Sequence, residues 1–294
     1  MRLPTILLEG KKLPRTIFSI RTPLSDQGRE IDPLMQKAYE MGVWCFDLPS
    51  GRHLESLNEL KRVTMDEAVI GLGHVEVEAG LSFSGKPLHQ YETKIISTIK
   101  KELVPFHLPY HLLPPSSSTE IFTQKEIDRI VFDPVRFGRM LSRFHPEACP
   151  FLLVGEKYGD WLLALGRIDL FHEMVSQVRE KGFIPIFSAQ WTSFTLPKAK
   201  ALHVAAYAVP VNKKKTLFDS EQVVHLIKKF DKPIISLNPL ADGKLLKECE
   251  GALSFLFEEL KVYAVIAGIA SEEEIRRIME GLKRFPSLIP PRKT

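Results

Sequence analysis

Apolar and β-branched residues gather in eight short runs along the chain, and amphipathic segments with helical spacing lie between them. The runs cover residues 16–23, 43–48, 68–76, 151–156, 183–189, 204–212, 233–240 and 262–270. Most of them are continuously apolar, which is typical of parallel strands that pack on both faces. The pattern therefore predicts eight strands that alternate with helices.

Capping residues mark where some of these helices begin and end. Asp32, which precedes a proline, predicts the start of a helix over residues 34–41, and Gly42 predicts its end. A helix over residues 168–181 is expected to end at Gly182 for the same reason.

Two further helices have capping pairs in the sequence. They are Asp219 with Gln222, and Ser271 with Glu274, which has the spacing of a capping box. Eight strands alternating with helices predict an α/β fold, a (β/α)8 TIM barrel formed as one domain over residues 1–294. An open, doubly wound sheet is the alternative, because the pattern does not show whether the sheet closes.

The connection between the third and fourth strands is longer than a strand–helix unit needs. It begins with a turn over residues 81–86 and a helix over residues 88–103. The segment 105–150 is rich in aromatic residues, histidine and proline, and its apolar content predicts a folded insertion or lid subdomain. The histidines of this segment are irregularly spaced, which does not favour a metal cluster; they are His107, His111 and His145.

Composition and charge narrow the class of protein. The 294 residues are 44% hydrophobic and 26% charged with a net charge of +4, which is ordinary for a globular protein and gives no nucleic-acid footprint. Three widely spaced cysteines favour a reducing compartment over a disulfide framework. No apolar run reaches the roughly 18 residues that span a membrane, and the first residues lack a signal-peptide pattern. We therefore expect a cytoplasmic protein without nucleic-acid or membrane partners; its oligomeric state is not indicated.

Polar residues follow the second and fourth strands, at the edge of a barrel where strand ends converge. Asp47 ends the second strand and is either an active-site carboxylate or the cap of its own turn. Arg52 and His53 are expected in the next loop, where Arg52 either pairs with Asp47, binds an anionic ligand or is simply exposed. Glu156 and Lys157 end the fourth strand, as a buried ion pair that tunes pKa values or as a loop salt bridge.

The end of the third strand carries alternating polar residues. His74, Glu76 and Glu78 share one face of an extended strand, while Gly71 and Gly73 lie on the other face. If the polar face points inward, it could bind a divalent metal or act as acid and base; otherwise the strand end projects into solvent. The sequence leaves both interpretations open.

Other strand ends supply further candidates for a ligand site. Trp191 follows the fifth strand as a stacking platform or as packing, and Asn212 and Asn238 end the sixth and seventh strands. We expect a small-molecule ligand at the C-terminal face of the barrel, with Asn238 in contact with it. The candidate catalytic residues are Asp47, His53, His74 and Glu156, and the candidate substrate-binding residues are Arg52, Lys157 and Trp191.

Several segments resemble a known family, the aldo/keto reductases, in the first 75 residues and in residues 170–282. KAYEMGVWCFD (37–47) is similar to the helix and strand that lead to the family's catalytic aspartate, and EGKKLPRTIFSIRTP (9–23) to its N-terminal hairpin and first strand. LNPLADGKL (237–245) resembles the loop over the cofactor diphosphate. Residues 252–278 resemble the closing helix, strand and cofactor-phosphate helix.

The resemblance implies a catalytic aspartate, tyrosine, lysine and histidine, of which this chain retains one. Asp47 matches the aspartate, but Arg52 stands at the tyrosine position, Gly73 or His74 at the lysine position, and Gly155 at the histidine position. Arginine does not release a proton near neutral pH. Carbonyl reduction by the family's usual mechanism is therefore not expected.

The resemblance also implies NADP as the cofactor. Ser188 fits a position beside the nicotinamide carboxamide, whereas Leu237 stands where an aromatic residue would stack on the ring. The last helix would place its N-terminus against a phosphate. The implied cofactor-binding residues are Ser188, Asn238, Leu240, Gly268 and Ser271.

Three functions are compatible with these residues. The first is an NADP-dependent oxidoreductase with a non-standard active site in which His74 or His53 supplies the proton. The second is a catalytically inactive barrel that binds a phosphorylated ligand or regulates a partner. The third is a metal-assisted lyase or hydrolase.

Overall fold

The computed structural model describes residues 3–21, 31–103, 120–214 and 220–285. The strands are β1 (Thr5–Leu8), β2 (Lys11–Pro14), β3 (Thr16–Ile20), β4 (Cys45–Leu48), β5 (Ile70–Val75), β6 (Leu81–Phe83), β7 (Lys86–Pro87), β8 (Ile130–Phe132), β9 (Phe151–Val154), β10 (Ile184–Ser188), β11 (Ala206–Pro210), β12 (Ile234–Leu237) and β13 (Ala264–Ile269). The α-helices are α1 (Pro33–Glu40), α2 (Gly51–Thr64), α3 (Glu92–Leu103), α4 (Gln124–Ile127), α5 (Pro134–Leu141), α6 (Glu156–Ala164), α7 (Ile168–Glu180), α8 (Thr192–Ala199), α9 (Ser220–Lys229), α10 (Cys249–Ser254) and α11 (Glu272–Leu282). Single 3₁₀ turns cover Val77–Gly80, Leu88–Tyr91 and Leu246–Glu248, and a π-helical turn covers Phe255–Glu259.

Eight parallel strands close into a barrel in the order β3, β4, β5, β9, β10, β11, β12 and β13, and β13 pairs back onto β3. Each of these strands lies in one of the eight apolar runs. The prediction of a TIM barrel is therefore confirmed, and the open-sheet alternative is wrong because the sheet has no edge.

One end of the barrel is closed by the chain itself. Alternate residues of the strands fill the interior, and the largest of them include Ile17, Phe151 and Ile186. The β1–β2 hairpin runs directly into β3, so it lies at the N-terminal end, where its Ile6 and Leu13 join the interior core. The barrel interior is therefore closed at this end, and we call the opposite, C-terminal end the mouth.

Two of the predicted helices match within a residue at each end. Asp32 accepts hydrogen bonds from the backbone N–H groups of Leu34 and Met35 and so caps α1. Gly42 and Gly182 follow α1 and α7 with φ angles of 95° and 85°, in the left-handed region that glycine adopts at helix ends.

The two predicted capping pairs fare differently. Ser271 Oγ accepts from Glu274 N at 3.3 Å, but the Glu274 carboxylate accepts from Ala270 N instead of closing the box on Ser271. The predicted capping box is therefore only half formed. Asp219 lies outside the described residues.

The insertion between β5 and β9 contains a three-stranded antiparallel sheet in the order β7, β6, β8. The predicted turn at 81–86 is present as Ser84 and Gly85, with φ angles of 50° and 77°, and the residues on either side of it pair as strands. Because β6 pairs with β8, the predicted turn and part of the segment 105–150 belong to the same small sheet. A separate subdomain over residues 105–150 stays a prediction. Helix α3 packs against α6, and α5 packs against α7. A lid role for the insertion stays a prediction, and His107 and His111 lie outside the described residues.

Within the described ranges, no helix combines the length and the apolar character required to cross a membrane. Cys45, Cys149 and Cys249 are all buried and unpaired.

Candidate active site

Three titratable side chains meet at the mouth of the barrel. His74 Nε2 lies 2.6 Å from Asp47 Oδ1, and His74 Nδ1 is hydrogen-bonded to Glu156 Oε1. Asp47 is on β4, His74 is on the neighbouring β5, and Glu156 follows β9, the other neighbour of β5. Three adjacent strands thus assemble Asp47, His74 and Glu156, which we call the triad.

His74 points into the barrel because of its position on β5. Ile70 and Leu72, four and two residues before it, both belong to the interior core. Gly71 and Gly73 face outward, since an added Cβ on Gly73 would lie 2.6 Å from the Phe144 ring of the insertion. The polar face of this strand is therefore the inward face at His74.

Beyond His74, the end of this strand does project into solvent. Glu76 is exposed, and its Oε1 lies 3.3 Å from Arg143 Nη1. Glu78 is half-buried in the 3₁₀ turn that follows, and burial raises its pKa. The three alternating residues therefore do not act as one metal-ligating face.

The environment of His74 favours its charged form. Burial by itself lowers the pKa of His74, but the charges and hydrogen bonds of Asp47 and Glu156 outweigh burial and raise this pKa to about 10. At neutral pH both ring nitrogens therefore carry protons, and each donates to a carboxylate. The side chains are 6%, 18% and 46% exposed for Asp47, His74 and Glu156. Glu156 is thus the member of the triad that solvent and ligands can reach.

An unusual backbone turn sets the position of Glu156. Gly155 has a φ of 131° and Glu156 a φ of 50°, at the junction of β9 and α6. A Cβ on Gly155 would lie 2.3 Å from the Ser188 carbonyl oxygen, so only glycine fits. Left-handed backbone at a residue such as glutamate costs about 1 kcal/mol or more and is found at functional sites.

Arg52 and His53 lie in the first turn of α2, so the prediction that they occupy a loop is wrong. Arg52 is exposed, and His53 is buried with its Nδ1 2.8 Å from Ser50 Oγ. Burial lowers the pKa of His53, and the charge of Asp47 only partly offsets this effect. His53 is therefore a neutral neighbour of the triad at neutral pH.

Glu156 and Lys157 do not form the ion pair that the sequence suggests. Glu156 is bound to His74, whereas Lys157 Nζ lies 2.8 Å from Glu92 Oε1. The Tyr158 hydroxyl donates to the same Glu92 oxygen at 2.7 Å. Because Glu92 begins α3, this contact ties the insertion to the mouth of the barrel.

A cavity of ≈ 100 Å³ opens beside the triad. Its wall includes His74, Glu156 and Lys157 from the barrel, Glu78 from the turn after β5, and Arg143 from the segment after α5. This volume is well below the roughly 300–1,000 Å³ of drug-sized pockets. The cavity therefore suits a small molecule.

A buried carboxylate, Asp160, accepts hydrogen bonds from the segment that follows β10, and it is not among the site residues predicted from the sequence. Asp160 on α6 accepts hydrogen bonds from Gln190 N at 2.7 Å, Trp191 N at 3.0 Å and Thr195 Oγ1 at 2.6 Å. Burial raises the pKa of Asp160 to about 7, against these hydrogen bonds, which lower it. Its signal in the sequence is a lone aspartate among the apolar residues of 158–165.

The candidates on β10 and after it face protein. Ser188 is 2% exposed, and Trp191 is 6% exposed with its ring packed edge-on against Phe194. Packing is therefore the interpretation that the structure favours for Trp191.

Three of the four remaining cofactor candidates, Asn238, Leu240 and Gly268, line a crevice of ≈ 210 Å³ between the loop after β12 and the ends of β13 and β3. Asn238 has a φ of 52° and its Oδ1 accepts from Asp242 N at 2.7 Å, while its carbonyl accepts from Asn212 Nδ2 at 3.3 Å. Leu240 is 4% exposed, and Ser271 caps α11. The polar side chains of this set are therefore used within the protein.

Gly268 forms the floor of the crevice and lies under Arg21. A Cβ on Gly268 would lie 2.6 Å from Arg21 Cδ, and Arg21 Nη2 pairs with Glu274 Oε2 at 2.9 Å. Arg21 is not among the residues predicted from the sequence, where its only signal is a cation directly after the first barrel strand.

Among the described residues, no group of three or more histidine, cysteine, aspartate or glutamate side chains is arranged to hold a metal ion. In the triad, the ring nitrogens of His74 face the two carboxylates instead of a shared centre. The third function therefore receives no geometric support from this part of the chain.

Comparison with solved structures confirms the fold of the aldo/keto reductases. The holo form of aldo-keto reductase AKR11C1 from Bacillus halodurans superposes with a TM-score of 0.59 at 13% identity, over 97% of this chain and 92% of that one. Its apo form gives 0.52 at 12% identity over the same shares. PA4992, a candidate aldo-keto reductase from Pseudomonas aeruginosa, gives 0.52 at 13% identity over 95% of this chain and 94% of its own. No protein-family model and no curated protein matches the sequence. At such low sequence identities the comparison establishes the architecture alone. The reaction has to be inferred from the residues of the site.

Proposed function

We propose that the chain is an acid–base enzyme in which the triad transfers a proton to and from a small polar substrate at the mouth of the barrel. One observation carries the proposal: a histidine lies between two carboxylates and is hydrogen-bonded to both, one of them buried and the other open to a cavity. Strand ends at this face of a TIM barrel are where catalytic groups are found. The cavity supports a substrate the size of a small hydroxy-carbonyl compound.

Glu156 is the group that would touch the substrate. Its carboxylate takes a proton from a substrate hydroxyl, or from the carbon next to a carbonyl, and the bonding electrons stay on the substrate. The same carboxylic acid later returns a proton to the substrate. Because Glu156 is half-exposed, its proton exchanges with solvent between these two steps.

His74 and Asp47 act through Glu156. The imidazolium donates from Nδ1 to Glu156 and so fixes the direction of its carboxylate. Asp47 accepts from Nε2 and keeps the ring charged and oriented. Asp47 and His74 are therefore positioning residues in this proposal, and Glu156 is the catalytic residue.

A nicotinamide dinucleotide does not fit the described residues as they stand. Arg21, which lines the crevice beside the loop after β12, is paired with Glu274, and the side chains of Asn238 and Ser271 are already hydrogen-bonded. Leu237 offers no aromatic ring for stacking on nicotinamide. We therefore derive no reduction step, although the fold is that of a reductase family.

Deuterium exchange tests the proposal without knowledge of the product. Wild-type protein in D₂O is incubated with glycolaldehyde, glyceraldehyde or dihydroxyacetone, and incorporation next to the carbonyl is followed by ¹H NMR. We expect exchange with the wild type. The exchange rate should fall by at least about 100-fold in Glu156→Gln and by a smaller factor in His74→Gln.

The matched control is His172→Gln, which changes an exposed histidine on α7 and should leave the rate unchanged. Thermal melts establish that each variant is folded. Background exchange with the wild type for all three compounds, or an undiminished rate in Glu156→Gln, would contradict the proposal and favour a catalytically inactive ligand-binding barrel.

A further inference from the structure

The crevice between the loop after β12 and the ends of β13 and β3 has the features of an anion site. Arg21 and Gly268 line it, the Arg21 side chain lies over Gly268, and Glu274 in the first turn of α11 pairs with the Arg21 guanidinium. Helix N-termini and arginines are the usual partners of phosphate groups. The guanidinium of the crevice is nevertheless already paired with a carboxylate of the protein itself.

Glu274 holds the place that an anion would take. Its Oε2 accepts from Ala270 N at 2.8 Å, ahead of α11, and from Arg21 Nη2 at 2.9 Å. Gly243 of the loop after β12 closes over the pair, since a Cβ there would lie 3.8 Å from Arg21 Nη2 and 4.0 Å from Glu274 Oε1. The carboxylate therefore meets a backbone donor, a helix N-terminus and a cation at once.

Two further glutamates of α11 also form ion pairs with arginines of the same helix. Arg276 pairs with Glu272 at 2.5 Å and Arg277 pairs with Glu273 at 2.7 Å, both on the exposed face of the helix. A dinucleotide phosphate would have to displace Glu274 from Arg21 and would then lie beside the Glu274 charge. The repulsion between these like charges opposes binding.

We propose that the Glu274 carboxylate is a built-in substitute for a ligand phosphate, so that the wild-type chain does not bind a nicotinamide dinucleotide at this crevice. Neutralising Glu274 frees Arg21 and turns the crevice into a site for a small oxyanion. The inference concerns the opposite side of the barrel mouth from the triad and stands independently of the proposed acid–base reaction.

Isothermal titration calorimetry with NADPH and with inorganic pyrophosphate as separate probes tests the inference. For the wild type we expect no saturable heat with either probe. Glu274→Gln keeps an oxygen for Ala270 N but removes the charge. We expect it to bind pyrophosphate at least about tenfold more tightly than the wild type, the effect of one additional charge-assisted contact.

Two variants act as controls. Glu272→Gln frees Arg276 on the exposed face of the same helix, and it should gain no pyrophosphate binding. The double variant Arg21→Ala/Glu274→Gln should bind pyrophosphate no more tightly than the wild type. Saturable NADPH binding by the wild type that Arg21→Ala abolishes would overturn the inference, as would a Glu274→Gln protein that is folded and gains no binding. Neither result bears on exchange by the triad.

Discussion

Replacing His74 with glutamine is the sharpest perturbation of the triad, because glutamine keeps hydrogen-bonding atoms but cannot carry a charge. A rise in the pKa of His74 from 6.5 to about 10 corresponds to about 5 kcal/mol of preference for the charged, folded form. Glu156 is 46% exposed, so solvent screening reduces its share. We expect His74→Gln to lower the free energy of unfolding by about 2–4 kcal/mol at pH 7.

The dependence of this loss on pH has a definite sign. A histidine whose pKa is raised by folding stabilises the folded state fully below the unfolded value of 6.5, and this contribution disappears as the pH rises through about 10. The difference in unfolding free energy between wild type and His74→Gln should therefore shrink steadily from pH 6.5 to pH 10.

Urea unfolding followed by tryptophan fluorescence and circular dichroism at pH 6, 8 and 10 measures this difference. The control His172→Gln changes an exposed histidine and should follow the wild type at every pH. A stability difference that is the same at all three pH values would refute the reasoning, because it would indicate lost packing rather than a lost cation.

Two further predictions concern the backbone and hydrogen bonds that support the mouth. Gly155→Ala should lower the free energy of unfolding by at least about 2 kcal/mol and reduce exchange activity, because its Cβ would lie 2.3 Å from the Ser188 carbonyl oxygen. Urea unfolding measures the change in stability, and a variant as stable as the wild type would contradict the prediction. Asp160→Asn should lower the free energy of unfolding by about 1–3 kcal/mol, because an amide has one acceptor oxygen for the three donors that contact Asp160. A melting temperature equal to that of the wild type would show that those hydrogen bonds contribute little to stability.

The barrel could be predicted from the sequence because its signals are local. Continuous apolar runs, the Asp32 cap and the glycines after α1 and α7 each act within a few residues of the element that they define. The helix α2 was also readable, since Leu54, Leu57 and Leu60 recur at helical spacing and are buried. This periodicity indicates a helix in the segment after Asp47, where a loop was predicted.

The triad could be predicted only in part. The positions of Asp47, His74 and Glu156 at strand ends follow from the pattern, but their contacts depend on which strands are neighbours. Strand pairing joins β5 to β9 across the whole insertion, and no local signal fixes that register. The Arg21–Glu274 ion pair spans 253 positions and depends on closure of the barrel, so it could not be read from the sequence.

Long-range ¹H–¹⁵N correlation NMR of the histidine rings, with His74 assigned by comparison with His74→Gln, tests most directly whether a cation is held in the mouth. At pH 8.5 we expect protons on both ring nitrogens of His74, with titration only as the pH approaches 10. A His74 ring that is neutral at pH 8.5 and titrates near 6.5 would contradict the account.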